Sequence, residues 1–357
     1  MFSFILWLSN MVIPLKDVVV VSPTSRGSGG VAQHIDGLVG RLKSDGYGVE
    51  VISSSNTPII RVKGLMNPSF ALSSMVKALG GRCHVVHAHN IPSAPAMRAL
   101  RADVKVLTLH GFYSEQVKLL HGGAVGGLVS WFERRALRWA DVITAVSKSS
   151  AEVYRGMGYD VRFIPNAVDL NRLPSEGLRV FSSQVIYVGR LSREKGLDTI
   201  LEAAAKVSGL NFLIVGWGPY GPTLRAKASK LKNMRLIGEV GHDEALRYIA
   251  GSDVLVLPSY VEGLSTVILE AMALKVPVVA SAVGGNTELV EDGVTGLLVS
   301  PGDPEQLASA IERIISERNL AARIASEAYK RVSNEYSWDR VYREYLRVYG
   351  LEDGDGR

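Results

Sequence analysis

Two glutamates in YVEGLSTVILEAMALKVP (260–277), Glu262 and Glu270, are the only charged residues before Lys275 in that stretch. An ionised carboxylate in an apolar helix is costly unless it is paired. Glu270 therefore needs a partner, and two are open: a buried arginine, or a ligand with two vicinal hydroxyls such as a ribose diol. Along one helix the two carboxylates would stand about 12 Å apart at about 1.5 Å rise per residue. Paired glycosidase carboxylates sit roughly 5–9.5 Å apart, so a hydrolytic acid/base couple is excluded. The spacing instead places Glu262 in a loop and Glu270 about a turn and a half inside the helix, sharing a face with Thr266.

A second cluster lies in VGRLSREKGLDTILEAAAKV. Gly189 ends a strand, Arg190 and Lys195 occupy the loop, and Gly196 opens a helix. Unpaired amides and the positive dipole end of that helix, together with two cations, suit a diphosphate without a metal ion. A solvated turn is the plainer reading of the same loop, and Arg193 and Glu194 fit it. SPTSRGSGGVAQHI repeats the strand–loop–helix pattern with Gly27, Gly29 and Gly30, which let backbone approach a ligand. IVGWGPYG carries Gly216, Gly218 and Gly221 in G-x-G-x-x-G spacing, with Glu239 about twenty residues on. It follows the second strand of its half rather than the first, which argues against a dinucleotide site. His87, His89 and His110 fall at the ends of first-half strands, and His110 is followed by the permissive Gly111.

The elements that must position these residues are short β-branched runs alternating with helix-length segments. DVVVVS, GVEVIS, HVVHAH, KVLTLH, DVITAVS and VRFIPN occupy the first half, and VIYVGR, NFLIVG, MRLIGE, DVLVLPS, PVVASAVGG and GLLVS the second. Continuous rather than alternating apolar strands imply sheets covered on both faces. Strands separated by helices imply βαβ units and two parallel, doubly wound α/β domains, with ligands beyond the carboxyl ends of the strands. The seam is expected in LNRLPSEGLRVFSSQ. A first domain over 1–172 and a second over 180–335 follow, with an amphipathic closing helix at about 336–352.

Bulk composition narrows the classes. The chain has 357 residues, 47% hydrophobic and 21% charged, enough for two cores. Cys83 is the single cysteine, which excludes internal disulfides and cysteine-rich zinc sites and suits a reducing cytoplasm. A net charge of +5 favours anionic partners, but no basic stripe long enough for nucleic acid stands out. LVSWFERRALRWADV places Trp131, Arg134, Arg135, Arg138 and Trp139 on one helix. They could meet anionic lipid at the inner face of a membrane, or snorkel over a core. The opening MFSFILWLSNMVIP falls short of the about 20 residues a spanning helix needs. It reads either as a weak anchor or as an extension ahead of Met11. No His, Cys, Asp or Glu cluster has metal-site spacing, and the D-x-D at Asp353 and Asp355 lies in a loose tail.

On GSGGVAQHI, LTLHG, ADVITAVSKSS, IPNAVD, YVGRLSREKG, VEGLSTVILEAMALKVPVVAS, VGGNTELVEDGVTGLLV and YSWDRVYREYL, the chain resembles the retaining glycosyltransferases of the GT-B fold, family 4 (GT4). The resemblance implies two Rossmann-like domains facing a cleft, acceptor on the first and nucleotide-sugar donor on the second, with the closing helix crossing back. It implies that Arg190 and Lys195 neutralise the donor diphosphate, that Gly29, Gly30 and Gly189 approach it by backbone, and that Glu270 holds the ribose. Glu262 and His110 would meet the transferred sugar, Gly263, Leu264 and Ser265 would line the donor, and Glu288 would stand near sugar and phosphate. Asn286 and Thr287 depart from the apolar residue and proline usual there, so donor identity is not carried over. The implied activity is metal-independent, cofactor-free hexosyl transfer from a UDP-, GDP- or ADP-sugar to a hydroxyl of a lipid, glycan or small molecule. Attack on the face of departure fits it, since no second carboxylate is placed for a covalent intermediate. The alternatives are a nucleotide-sugar binding protein without turnover, or a phosphorylase or polymer synthase of the same fold.

Overall fold

Runs such as VVVV and VLVL have no polar face, so each must be covered on both sides. The computed structural model, which describes residues 16–24, 29–62, 64–111 and 123–351, covers them with helices. The first sheet is β1 (Lys16–Ser22), β2 (Val49–Ser53), β3 (Arg82–His89), β4 (Arg101–Leu109), β5 (Val142–Ala145) and β6 (Val161–Phe163), in spatial order β2-β1-β3-β4-β5-β6. The second is β7 (Gln184–Val188), β8 (Asn211–Val215), β9 (Met234–Gly238), β10 (Val254–Leu257), β11 (Val278–Ser281) and β12 (Leu297–Val299), in order β12-β11-β10-β7-β8-β9. Every neighbouring pair is parallel. These are the twelve expected strands, in two six-stranded doubly wound sheets.

In the first unit the helices are α1 (Gly30–Ser44), α2 (Met66–Ala78), α3 (Ala94–Ala99), α4 (Gly123–Leu137) and α5 (Lys148–Gly156). The step from β1 to β2 runs one way along the sheet, and the steps from β2 through β5 run the other. Right-handed crossovers therefore put α1 on one face and α2, α3 and α4 on the opposite face. Phe70, Met97, Leu137 and Tyr154 fill the core beneath the second set. In the second unit follow α6 (Leu197–Lys206), α7 (Gly221–Ala228), α8 (His242–Ala250), α9 (Thr266–Ala273), α10 (Asn286–Leu289), α11 (Pro304–Ser316) and α12 (Arg318–Glu335).

The last helix, α13 (Trp338–Tyr349), leaves the second unit and packs beside α1, sharing a core with Ile35, Leu38 and Val85. It buries Trp338, Val341, Tyr345, Val348 and Tyr349, at the i, i+3, i+4, i+7 spacing of an amphipathic helix. A side chain on Gly37 would overlap the Trp338 indole, and the Arg41 guanidinium lies 5.1 Å over that ring. The two crossings between units run side by side: the Val168 amide donates to Tyr336 at 2.9 Å and the Trp338 amide to Val168 at 3.1 Å.

Where α13 meets the sheet, four histidines stack. His87 and His89 centroids lie 4.1 Å apart, His89 and His110 5.3 Å, and His34 and His110 5.4 Å. The tyrosines of α13 hydrogen-bond to two of them: Tyr345 is 2.9 Å from His34 Nε2 and Tyr349 is 2.6 Å from His87 Nδ1. His87 Nε2 continues to Thr108 at 2.6 Å, and Thr108 to Thr144 at 2.6 Å. Burial pushes His34, His87 and His89 far below the ordinary imidazole value, His87 to about 3, with repulsion between neighbouring rings adding to it. They fold neutral.

In the unfolded chain these rings titrate near about 6.5. Below that pH the unfolded state takes up protons that the folded state refuses, so stability falls as pH falls. Each buried ring removes up to about 1.4 kcal/mol per pH unit. Denaturant titrations between about pH 7 and about pH 5 should show this slope. His87→Gln or His34→Gln, whichever folds, should flatten it by about one ring's share; an unchanged slope in both would rule the cluster out as the cause.

Candidate active site

After β7 the chain turns at Gly189, and residues 190–196 fold back over the end of β10. Gly196 must be glycine twice over: its φ is +66°, and any Cβ would overlap the Pro258 carbonyl. That close approach brings Lys195 Nζ to 2.7 Å from Glu262 Oε1, which also accepts the Ser259 hydroxyl at 2.8 Å. The Glu262 side chain is only 9% exposed, so its charge is held by these two donors. Arg190 is exposed and forms no ion pair among the described residues. From the other side, a Cβ on Gly285 would overlap the Gly263 carbonyl, so the α10 turn rests directly on the Glu262–Gly263 loop.

Helix α9 starts at Thr266, with Ser265 as an N-cap whose side chain makes no capping bond. Glu262 thus lies in the loop and Glu270 inside the helix. The partner of Glu270 is neither arginine nor solvent but His242, the first residue of α8, at 2.8 Å. Burial alone would lower the His242 pKa, but the hydrogen bond and charge of Glu270 outweigh it and raise the value. His242 escaped the sequence reading; its signal was a histidine at a helix start beyond the carboxyl end of β9. Thr266, Glu270 and His242 line a cavity of about 400 Å³ together with Gln33, Asp36 and Arg172.

The first unit supplies the opposite wall. Gly30 opens α1, whose N-cap Gly29 leaves its amides without a side-chain acceptor, and a Cβ on Gly30 would lie 3.2 Å from the Thr266 side chain. The uncapped N-termini of α1 and α9 therefore meet, and α6, capped only by Gly196, opens beside Lys195. Positive dipole ends of this kind favour an anion. His110 adjoins the loop that leads into α9: a Cβ on Gly263 would lie 3.1 Å from the His110 carbonyl. His110 Nε2 pairs with His89 at 3.0 Å, and its amide donates to Asn90 Oδ1 at 3.0 Å. Burial lowers its pKa to about 4, so it is a neutral ring at neutral pH.

Other expected residues are placed differently. Glu288, implied to stand near sugar and phosphate, spends both carboxylate oxygens on the first unit. It accepts the amides of Lys148 at 2.7 Å and Ser149 at 2.8 Å, capping α5 across the interface. A second bridge is Asn166, whose Nδ2 donates to the Leu264 carbonyl at 2.8 Å. Asn286 and Thr287, the departures from the family pattern, serve their own loop, Asn286 through the Ser281 carbonyl at 3.1 Å and Thr287 through the Gly284 carbonyl at 2.8 Å. Of the G-x-G-x-x-G glycines, Gly216 and Gly218 pack on the Gly189 and Leu191 carbonyls, so they shape the Arg190 loop. Helix α4 ends at Leu137, and Trp139 turns back onto Phe132 and under Arg98. Gly27, Asp353 and Asp355 lie outside the described residues. Among the described residues no group of three or more His, Cys, Asp or Glu could hold a metal ion.

Residues 28–172 match Glycosyltransferase Family 4, and residues 175–331 match Glycosyl transferases group 1. An uncharacterized glycosyltransferase of Methanocaldococcus jannaschii is 27% identical over 90% of this chain and 94% of its own. Among solved structures, sucrose-phosphate synthase from Thermosynechococcus elongatus superposes with a TM-score of 0.80 at 21% identity, covering 94% of this chain and 98% of that one. HepE of Anabaena, in complex with UDP and glucose, gives 0.74 at 20% identity, covering 94% and 99%. At these identities the structures speak for the GT-B fold.

The Lys195–Glu262 pair can be isolated by a double-mutant cycle. Lys195→Met leaves a nearly buried carboxylate without its cation and should cost roughly 1–3 kcal/mol in denaturant unfolding. Adding Glu262→Gln should restore most of that stability without restoring activity. A single variant as stable as the parent would show that the pair contributes nothing.

Proposed function

The chain belongs to the family 4 glycosyltransferases, and we propose that it is a retaining hexosyltransferase using a nucleoside-diphosphate sugar and a hydroxyl acceptor. The observation that supports this reading is the meeting of the α1 and α9 N-termini, neither with a capping side chain, in the cleft between the two units, with Lys195, just ahead of α6, bound to Glu262 in the loop that leads into α9. That array suits a group with two or more negative charges that must leave. As the glycosidic bond to the diphosphate breaks, charge grows on the departing oxygen, and preorganised donors there are worth several kcal/mol. In this reading Glu270 takes the ribose hydroxyls while His242 holds its carboxylate in place. The cavity beside them receives the nucleoside, in keeping with the UDP bound by the HepE structure.

Glu262, anchored by Lys195 and Ser259, faces the sugar from the donor side. Neutral His110, oriented by His89, offers a hydrogen bond rather than a proton. The acceptor oxygen attacks from the face the diphosphate leaves, its proton passes to the departing phosphate oxygen, and configuration at the anomeric carbon is kept. The cations and helix ends supply the charge compensation that many transferases take from a divalent metal.

Thermal unfolding with a panel of UDP-, GDP- and ADP-sugars, NAD and NADP, all in EDTA, tests the donor class. A ligand at a hundred times its dissociation constant adds about 2.7 kcal/mol. One nucleotide sugar should raise the melting temperature, and Glu270→Ala should abolish that rise while melting cooperatively by itself. A shift with NAD or NADP alone would overturn the reading. With the donor known, NMR of the product should show the donor's anomeric configuration, and turnover should persist in EDTA; inversion or strict metal dependence would refute the corresponding half of the mechanism.

A further inference from the structure

Half of the large hydrophobic residues that the described part of the chain exposes fall within one short segment. Seven of the fourteen, among them Ile60, Val62, Leu65, Leu72, Val76 and Leu79, lie between residues 60 and 79, on α2 and the loop that leads into it. Their spacing is not random. At about 100° per residue, Leu65, Leu72, Val76 and Leu79 fall on one stripe, and the buried Phe70, Ser74 and Ala78 fall on the opposite one. A helix apolar on two faces is normally covered on both, and here one face meets solvent: Leu72 is 62% exposed and Leu79 64%.

The charge around this stripe is one-sided. From Val51 to Ala102 the sequence has six Lys or Arg and no Asp or Glu, more positive charge than the net +5 of the whole chain. Arg61, Lys77 and Arg98 of this segment are exposed. Because α2, α3 and α4 share one face of the first sheet, the exposed Trp131, Arg134 and Arg135 of α4 extend the same outer layer.

We propose that this face of the first unit is a docking surface for an anionic lipid bilayer. The apolar stripe would enter the headgroup–acyl boundary with α2 lying in the membrane plane, and the basic residues would meet the lipid phosphates. A second copy of the chain fits less well: apposing two such faces would bring their cations together with no carboxylate in the segment to pair with them. Among the described residues no helix is long and apolar enough to cross a membrane.

Sedimentation with vesicles tests this without donor or acceptor, and so independently of the proposed chemistry. The full chain should pellet with vesicles of equal parts phosphatidylcholine and phosphatidylglycerol, progressively less with added salt, and stay in solution with phosphatidylcholine alone. Leu72→Ser/Val76→Ser/Leu79→Ser alters only exposed positions, so its melting temperature should match the parent. Its partitioning should fall at least about a hundredfold, at about tenfold for each buried side chain lost. Arg61→Glu/Lys77→Glu should remove the preference for the anionic vesicles. The proposal is overturned if the parent binds neither vesicle, or if the triple variant binds as the parent does. It is equally overturned if the parent is a dimer in solution that the triple variant converts to monomer, which would make the stripe a subunit interface.

Discussion

Parallel sheets impose one constraint from which the rest of this structure follows. Every strand runs the same way, so every crossover helix on return starts at the same edge, and its unpaired amides collect there. Two such sheets facing each other across a cleft place the starts of α1, α6 and α9 together without any residue chosen for binding. The side chains then refine a field that the backbone already provides. Glycines at 29 and 196 give those helix ends no capping side chain, Gly196 and Gly30 allow approaches that a Cβ would block or crowd, and Lys195 and Arg190 add full charges to the loop ahead of α6.

The cleft is useful only if the two units keep their relation, and long-range contacts, polar ones beside the apolar packing of α13, hold it. Glu288 from the second unit caps a helix of the first, and Asn166 ties the hinge to the loop that carries Glu262. The closing helix returns to insert Tyr345 and Tyr349 against His34 and His87. The same histidine stack orients His110 at the cleft edge through His89. Burial therefore links two properties: it keeps neutral both the rings that hold α13 in place and His110 at the cleft edge.

The two faces of the first sheet are used differently. One is sealed by α1 and α13, including the aromatic residues of α13. The other, under α2 to α5, has a complete core of its own and still displays apolar side chains outward. That outer stripe is exposed among the described residues, which is why its residues ask for a partner.

Residue order alone determined much of this. The twelve strands, the pair of doubly wound sheets, the loops bearing Arg190 and Lys195, and the division of Glu262 and Glu270 between loop and helix follow from periodicity, glycine placement and helix geometry, which act over a few residues. The pairing of side chains does not. Glu270 and His242 are 28 positions apart, Glu288 and Lys148 are 140 apart, and His34 and Tyr345 are 311 apart. Each pair meets only because the strand order β12-β11-β10-β7-β8-β9, or the return of α13 to α1, brings two remote loops to one edge. The resemblance to a family could name Glu288 as a site residue, but only the packed interface shows its carboxylate on the α5 amides. Local forces select elements; the partner of a buried charge is chosen by whichever group the assembled fold leaves within hydrogen-bond reach.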